Sequence, residues 1–137
     1  MPVADLTEEE LVRWGAEFAS ALRWPAVVAL HGDLGAGKTT LVRAIVGALG
    51  ATEPVTSPTF ALVHEYATPS GPVTHLDLYR IEGPAQLPQL GWEEMMRSSG
   101  LILIEWPERA GAALPPDATH LTLEHVPQRR DVRRLRW

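Results

Sequence analysis

Eight residues, Gly32-Asp33-Leu34-Gly35-Ala36-Gly37-Lys38-Thr39, stand between two segments of opposite character. Before them runs Ala26-Val27-Val28-Ala29-Leu30, a short continuous apolar stretch, the pattern of a parallel strand covered on both faces. After them Leu41, Val42, Ile45 and Leu49 recur at helical spacing, and Gly50 is placed to cap the helix. A buried strand that turns through glycines straight into an amphipathic helix restricts the chain to the α/β class. A second apolar run, Leu101-Ile102-Leu103-Ile104, supplies a further inner strand and ends in Glu105-Trp106-Pro107.

The loop has its own chemistry. Gly32, Gly35 and Gly37 let the backbone take turn conformations closed to other residues, so that successive N–H groups can face an anion. The helix starting near Lys38 adds its positive end. The pattern G-x-x-x-x-G-K-[ST] is complete, with Lys38 to reach the β- and γ-phosphates and Thr39 to offer a hydroxyl to Mg²⁺. The expected ligand is a nucleoside triphosphate. Lys38 is the only lysine and asparagine is absent, so the Asn/Thr-Lys-x-Asp element that reads guanine cannot be built, and ATP is favoured over GTP.

Such a site needs a carboxylate at the end of a neighbouring strand. Glu105, closing an apolar run that reads as central and parallel, has the better metal position. Asp77, in His75-Leu76-Asp77-Leu78-Tyr79-Arg80, reads as a residue that orients water or supports the metal, or as a hairpin residue bonded to Arg80 or to backbone. His75 alone in a strand is more often structural than catalytic, and Trp106 packs either near the nucleotide or over the core. Thr59, behind Pro58, occupies the position of a segment that senses the γ-phosphate, or else caps an element.

The rest of the chain fills in the architecture. Thr7 and Glu10 form a capping box for a first helix carrying Leu11, Trp14, Phe18 and Leu22, ended by Arg23-Trp24-Pro25. Phe60 to Tyr66 and Val73 to Tyr79 read as an antiparallel hairpin around Pro69-Ser70-Gly71-Pro72. Gly83 to Gly100 reads as short helices broken by Pro84, Pro88 and Gly91, with Trp92, Met95 and Met96 explained as well by packing as by partner contact. Thr119 to Val126 and Val132 to Trp137 are closing strands joined by a basic turn at Pro127 to Asp131. Arg129, Arg130, Arg133, Arg134 and Arg136 concentrate positive charge there, either to meet phosphate, RNA or an acidic protein or as a solvated, charge-protected edge strand.

The 137 residues match one α/β P-loop domain over 1–137, with a mixed, mainly parallel sheet flanked by helices and an antiparallel hairpin. The net charge of −5 speaks against a dedicated nucleic-acid binder. Without cysteine there is no disulfide, thiolate metal site or cysteine nucleophile. No apolar run approaches the ~20 residues of a membrane span, and the start of the chain lacks the parts of a signal peptide, so no membrane contact and a cytoplasmic location are expected.

Four blocks in order, Gly32 through Thr39 with Thr40, Ser57-Pro58-Thr59-Phe60 with Leu62-Val63 and Glu65-Tyr66, His75 through Arg80, and Glu105-Trp106-Pro107-Glu108, resemble the TsaE (formerly YjeE) family of bacterial ATPases needed for threonylcarbamoyladenosine modification of tRNA. The resemblance covers nearly the whole chain. It implies an ATPase, weak alone, that acts with the TsaB–TsaD pair and resets it, TsaD making the transfer and tRNA being met only through partners. Residue by residue it implies that Gly35, Ala36, Gly37, Lys38, Thr39 and Thr40 hold phosphate, that Thr39 and Glu105 serve Mg²⁺, and that Lys38, Asp77 and Glu105 are catalytic. It places Thr7-Glu8 and Arg129-Arg130 against the adenine nucleotide, ties Trp106 to function, and marks Pro88 as a departure in a segment usually helical. Two other readings stay open: a small-molecule kinase, and a nucleotide-gated binding module without hydrolysis.

Overall fold

The structure, a computed structural model, describes residues 2–53 and 63–137. The expectations for Ser57-Pro58-Thr59-Phe60 and for the start of the first hairpin arm lie outside the described residues. Among the described residues seven strands form one sheet: β1 (Val3–Thr7), β2 (Ala26–His31), β3 (Val63–Thr68), β4 (Gly71–Asp77), β5 (Leu101–Glu105), β6 (Thr119–Val126) and β7 (Arg129–Arg136). Their order is β1-β7-β6-β2-β5-β4-β3. The four middle strands β6, β2, β5 and β4 run parallel, and antiparallel strands close both margins. The mixed, centrally parallel α/β sheet expected from the apolar runs is the observed one.

The apolar runs are continuous because the sheet is buried on both sides. Along β5, Leu101 and Leu103 enter the core under α1 (Glu8–Ala21) and α2 (Lys38–Ala48), while Ile102 and Ile104 enter a second core with Leu76, Leu87 and Trp92. That second core is roofed by the 3₁₀ segments Pro84–Leu90 and Pro107–Ala113 and the short α3 (Trp92–Met96). Trp92 is buried, and Met95 and Met96 pack against this core, so packing accounts for all three. Pro88 sits in a 3₁₀ segment rather than an α-helix.

Thr7 caps α1: its hydroxyl accepts from the Glu10 amide at 3.2 Å, and Glu10 Oε1 accepts from the Thr7 amide at 3.0 Å. Helices α1 and α2 cross where Gly15 leaves room. A methyl group there would stand 2.8 Å from Ala44 Cβ and 3.1 Å from Leu41 Cδ1. Both neighbours belong to a packed helix, so Gly15→Ala is expected to cost about 1–3 kcal/mol of stability. Urea unfolding checks it, and an unchanged midpoint would mean that the helices separate freely.

Three expectations need correction. Val3–Thr7 is a strand, paired with β7. Consequently β7 is an inner strand, and its arginines do not protect an edge. The turn between β6 and β7 is Pro127-Gln128, with Gln128 left-handed at φ 66°, so Arg129 and Arg130 lie in the strand itself. Finally, the arm expected to reach Tyr79 ends at Asp77 and, although antiparallel to β3, runs parallel to β5. Among the described residues no helix is long and apolar enough to cross a membrane.

Candidate functional site

Strands β2, β4 and β5 end on the same side of the sheet, where an open α/β sheet presents its crevice. The glycine loop leaves β2 there. Gly37, left-handed at φ 103°, is the N-cap of α2, and its carbonyl receives the first helical bond from the Leu41 amide at 3.0 Å. The Ala36 methyl is buried in the core and its amide bonds Asp33 O at 3.1 Å, which pins the middle of the loop. Leu34 at the tip is 66% exposed.

Lys38 is buried and folded back over its own loop. Its ammonium donates to the Gly32 carbonyl at 2.5 Å and lies 3.9 Å from the centroid of the Trp106 ring. Burial lowers the Lys38 pKa, against the attraction of Glu105, Asp77, Glu108 and Asp33. Trp106 itself is left-handed at φ 58°, ahead of Pro107, and leans on Tyr79 with ring centroids 5.0 Å apart. It covers the lysine and also packs on the second core.

Asp77 and Glu105 face each other in register across β4 and β5. Asp77 Oδ1 accepts from the Tyr79 amide at 3.0 Å, and no pairing with Arg80 is found among the described residues. Burial raises the Asp77 pKa, the Tyr79 amide opposes it, and Glu105 adds to the rise. Glu105, 4% exposed, has Oε2 2.6 Å from Nε2 of the fully buried His75. That partner escapes inspection of the sequence, because it depends on how β4 and β5 align.

Two of the cavities bordering the loop contain residues expected from the sequence to line a site. One, of about 290 Å³, is lined by Gly35, Gly37, Lys38, Thr39, Thr40, Asp77, Tyr79, Glu105 and Trp106 among others. The other, of about 260 Å³, lies between the loop, the start of α1 and β7, and includes Leu6, Glu8, Leu11, Gly35, Thr40, Arg130 and Arg133. Of the residues expected to line a site, Lys38, Thr39, Asp77 and Glu105 meet in the first, Glu8 and Arg130 in the second, and Gly35, Gly37 and Thr40 border both. Thr7, Ala36 and Arg129 border neither: the Thr7 hydroxyl caps α1, the Ala36 methyl lies in the core, and Arg129 pairs with Asp131 at 3.4 Å. Arg133, read from the sequence only as part of the basic tail, donates to the Gly35 carbonyl at 3.4 and 3.3 Å and ties β7 to the loop.

The other arginines of the basic tail are engaged on the sheet. Arg134 grips Asp5 at 2.8 and 3.0 Å, and Arg136 pairs with Glu124 at 2.5 Å. Below the loop, His31 Nε2 lies 2.8 Å from His120 Nδ1, and burial followed by repulsion from His120 lowers the His31 pKa.

The chemistry of the first cavity is that of an anion beside a hard cation. Its lining brings together the glycine loop, the N-terminus of α2 with the Lys38 ammonium, the threonines Thr39 and Thr40, and the carboxylates of Asp77 and Glu105. Among the described residues no group of three or more His, Cys, Asp or Glu forms a ready metal cage. The Thr39 hydroxyl with the carboxylates of Asp77 and Glu105 fits the kind of donor set Mg²⁺ uses, one or two carboxylates completed by phosphate and water.

Comparison with known proteins gives a consistent picture. Residues 6–134 match the family described as threonylcarbamoyl adenosine biosynthesis protein TsaE. Curated relatives, each called tRNA threonylcarbamoyladenosine biosynthesis protein TsaE, include one from Haemophilus influenzae, 34% identical, covering 91% of this chain and 82% of its own length. One from Nostoc sp. is 42% identical over 74% of this chain and 65% of its own, and one from Synechocystis sp. 41% identical over 71% and 64%. The chain thus spans just under two thirds of the length of the last two. The crystal structure of Bacillus subtilis YdiB superposes with a TM-score of 0.66 at 28% identity, covering 98% of this chain and 85% of that one.

Proposed function

This chain belongs to the TsaE family, and from that premise we propose that it serves tRNA threonylcarbamoyladenosine formation in the cytoplasm as an accessory ATPase. It binds ATP with Mg²⁺, hydrolyses it slowly alone, and acts with the TsaB–TsaD pair, meeting tRNA only through these partners. It is not the transferase.

The observation that carries this reading is the meeting of Lys38, Thr39, Asp77 and Glu105 around one cavity at the mouth of the glycine loop. Lys38 leaves the Gly32 carbonyl to pair with the β- and γ-phosphates, a charged partner that offsets its burial. Thr39 and one carboxylate hold Mg²⁺, whose chemistry when bound is to neutralise phosphate charge. Asp77, whose pKa burial raises and whose Oδ1 is held by the Tyr79 amide, orients the attacking water. The second cavity takes the base and sugar, with Glu8 and Arg130 at its polar rim.

The test is phosphate release from Mg²⁺–ATP with and without TsaB–TsaD. A low basal rate that rises with the pair is expected. Confirmed ATP binding with no response to the pair would end the partner-activated reading, and phosphate appearing on a small acceptor would favour a kinase.

A further inference from the structure

We infer that His75 is a positioning residue for Glu105, clamping one carboxylate oxygen so that the other is presented to the cavity beside the glycine loop. The inference rests on the functional reading above and adds a residue to it. On β4, Val73, His75 and Asp77 share a face, opposite Leu101, Leu103 and Glu105 on β5. Val73, Leu101 and Leu103 belong to the core under α1 and α2, whereas Asp77 and Glu105 open into the cavity. His75 stands between the two zones. It is opposite Leu103 in register yet reaches diagonally to Glu105, two residues further along.

A histidine in this apolar row is costly unless its polar atoms are used. Nε2 is used, 2.6 Å from Glu105 Oε2. A carboxylate oxygen only accepts, so the ring proton sits on Nε2. Nδ1 is buried and finds no hydrogen-bond partner among the described residues, so a role confined to filling the core does not account for the imidazole. Among the described residues Glu105 Oε1 has no hydrogen-bond partner and is not a buried orphan, so it is the oxygen left to the cavity. Asp77 is held in the same manner, Oδ1 by the Tyr79 amide. Each carboxylate is thus fixed by one oxygen and offers the other. Outer partners of this kind set the orientation, and so the affinity, of metal-facing groups.

The test measures Mn²⁺ affinity of the ATP-bound full chain by electron paramagnetic resonance, with ATP affinity in EDTA as the metal-independent control, for wild type, His75→Leu, His75→Gln and His75→Asn. Expected is a roughly 10- to 100-fold weaker Mn²⁺ affinity in His75→Leu, with ATP binding in EDTA unchanged. His75→Gln, whose amide nitrogen reaches the place of Nε2, restores most of the affinity, and the shorter His75→Asn does not. A folded His75→Leu with wild-type Mn²⁺ affinity overturns the inference. Should His75→Leu fail to fold, equal affinities in the Gln and Asn variants overturn it, and retention by Gln alone supports it. Wild type that binds ATP without any metal dependence overturns the functional reading itself, a result visible before any variant is made.

Discussion

Lys38→Ala is expected to abolish measurable turnover, lowering kcat by about 10²- to 10³-fold or more, and to weaken ATP binding severely. Lys38 is the only lysine in the chain and the only ammonium bordering the cavity that also holds Asp77 and Glu105. Removing it leaves two acids facing an incoming polyanion. Stability should respond differently. The Lys38 pKa is lowered in the fold, mainly by burial, so the folded state disfavours its charged form at neutral pH and gains relative stability as pH rises through the depressed value. In the alanine variant relief of that burial penalty offsets the lost bond to Gly32 O and the lost contact with Trp106, so it should melt close to wild type. Calorimetric titration with ATP together with a thermal melt separates the two effects. A folded variant that binds ATP within a few-fold of wild type would remove Lys38 from the phosphate site.

Gly32→Ala is expected to destabilise by about 2–5 kcal/mol, combining overpacking with a strained backbone. Gly32 has φ 148°, and a methyl group on it would stand 2.6 Å from the Leu123 carbonyl oxygen and 3.2 Å from Ala36 Cβ. The oxygen belongs to β6, an inner strand bonded on both sides, so it cannot retreat without disturbing the sheet. The loop would move instead, and Gly32 O is the oxygen that holds Lys38. For a chain of this size the loss corresponds to a fall in Tm of roughly 10 °C. A Tm within a degree of wild type would show that the loop yields at little cost.

The parts legible in the sequence are those in which neighbouring residues state the same thing. The run Ala26 to Leu30, the glycines and the helical spacing from Leu41 agree within one segment, and Leu101 to Ile104 is apolar because both sheet faces are covered. The capping box of Thr7 and Glu10 was legible for the same reason, yet it hid the strand that ends at Thr7, since five residues of mixed polarity give little alternation to read. With β1 unseen, β7 looked like an edge. What depends on register was out of reach: His75 and Glu105 are thirty positions apart, and their contact exists only because β4 lies parallel to β5. The parallel relation also raised Asp77 from a hairpin residue to the direct neighbour of Glu105.

The margin where β1 pairs with β7 bears on how the protein is made. Translation delivers β1 first and its partner as the last of the seven strands, on the order of ten seconds later at ordinary elongation rates. Until then the emerging chain has its glycine loop but not the wall facing it, because one side of the second cavity comes from Leu6, Glu8 and Leu11 and the other from Arg130, Val132 and Arg133. A nascent or prematurely terminated chain ending before β7 therefore lacks half of that cavity. A ligand that needs both walls of that cavity is therefore met only once β7 has paired with β1.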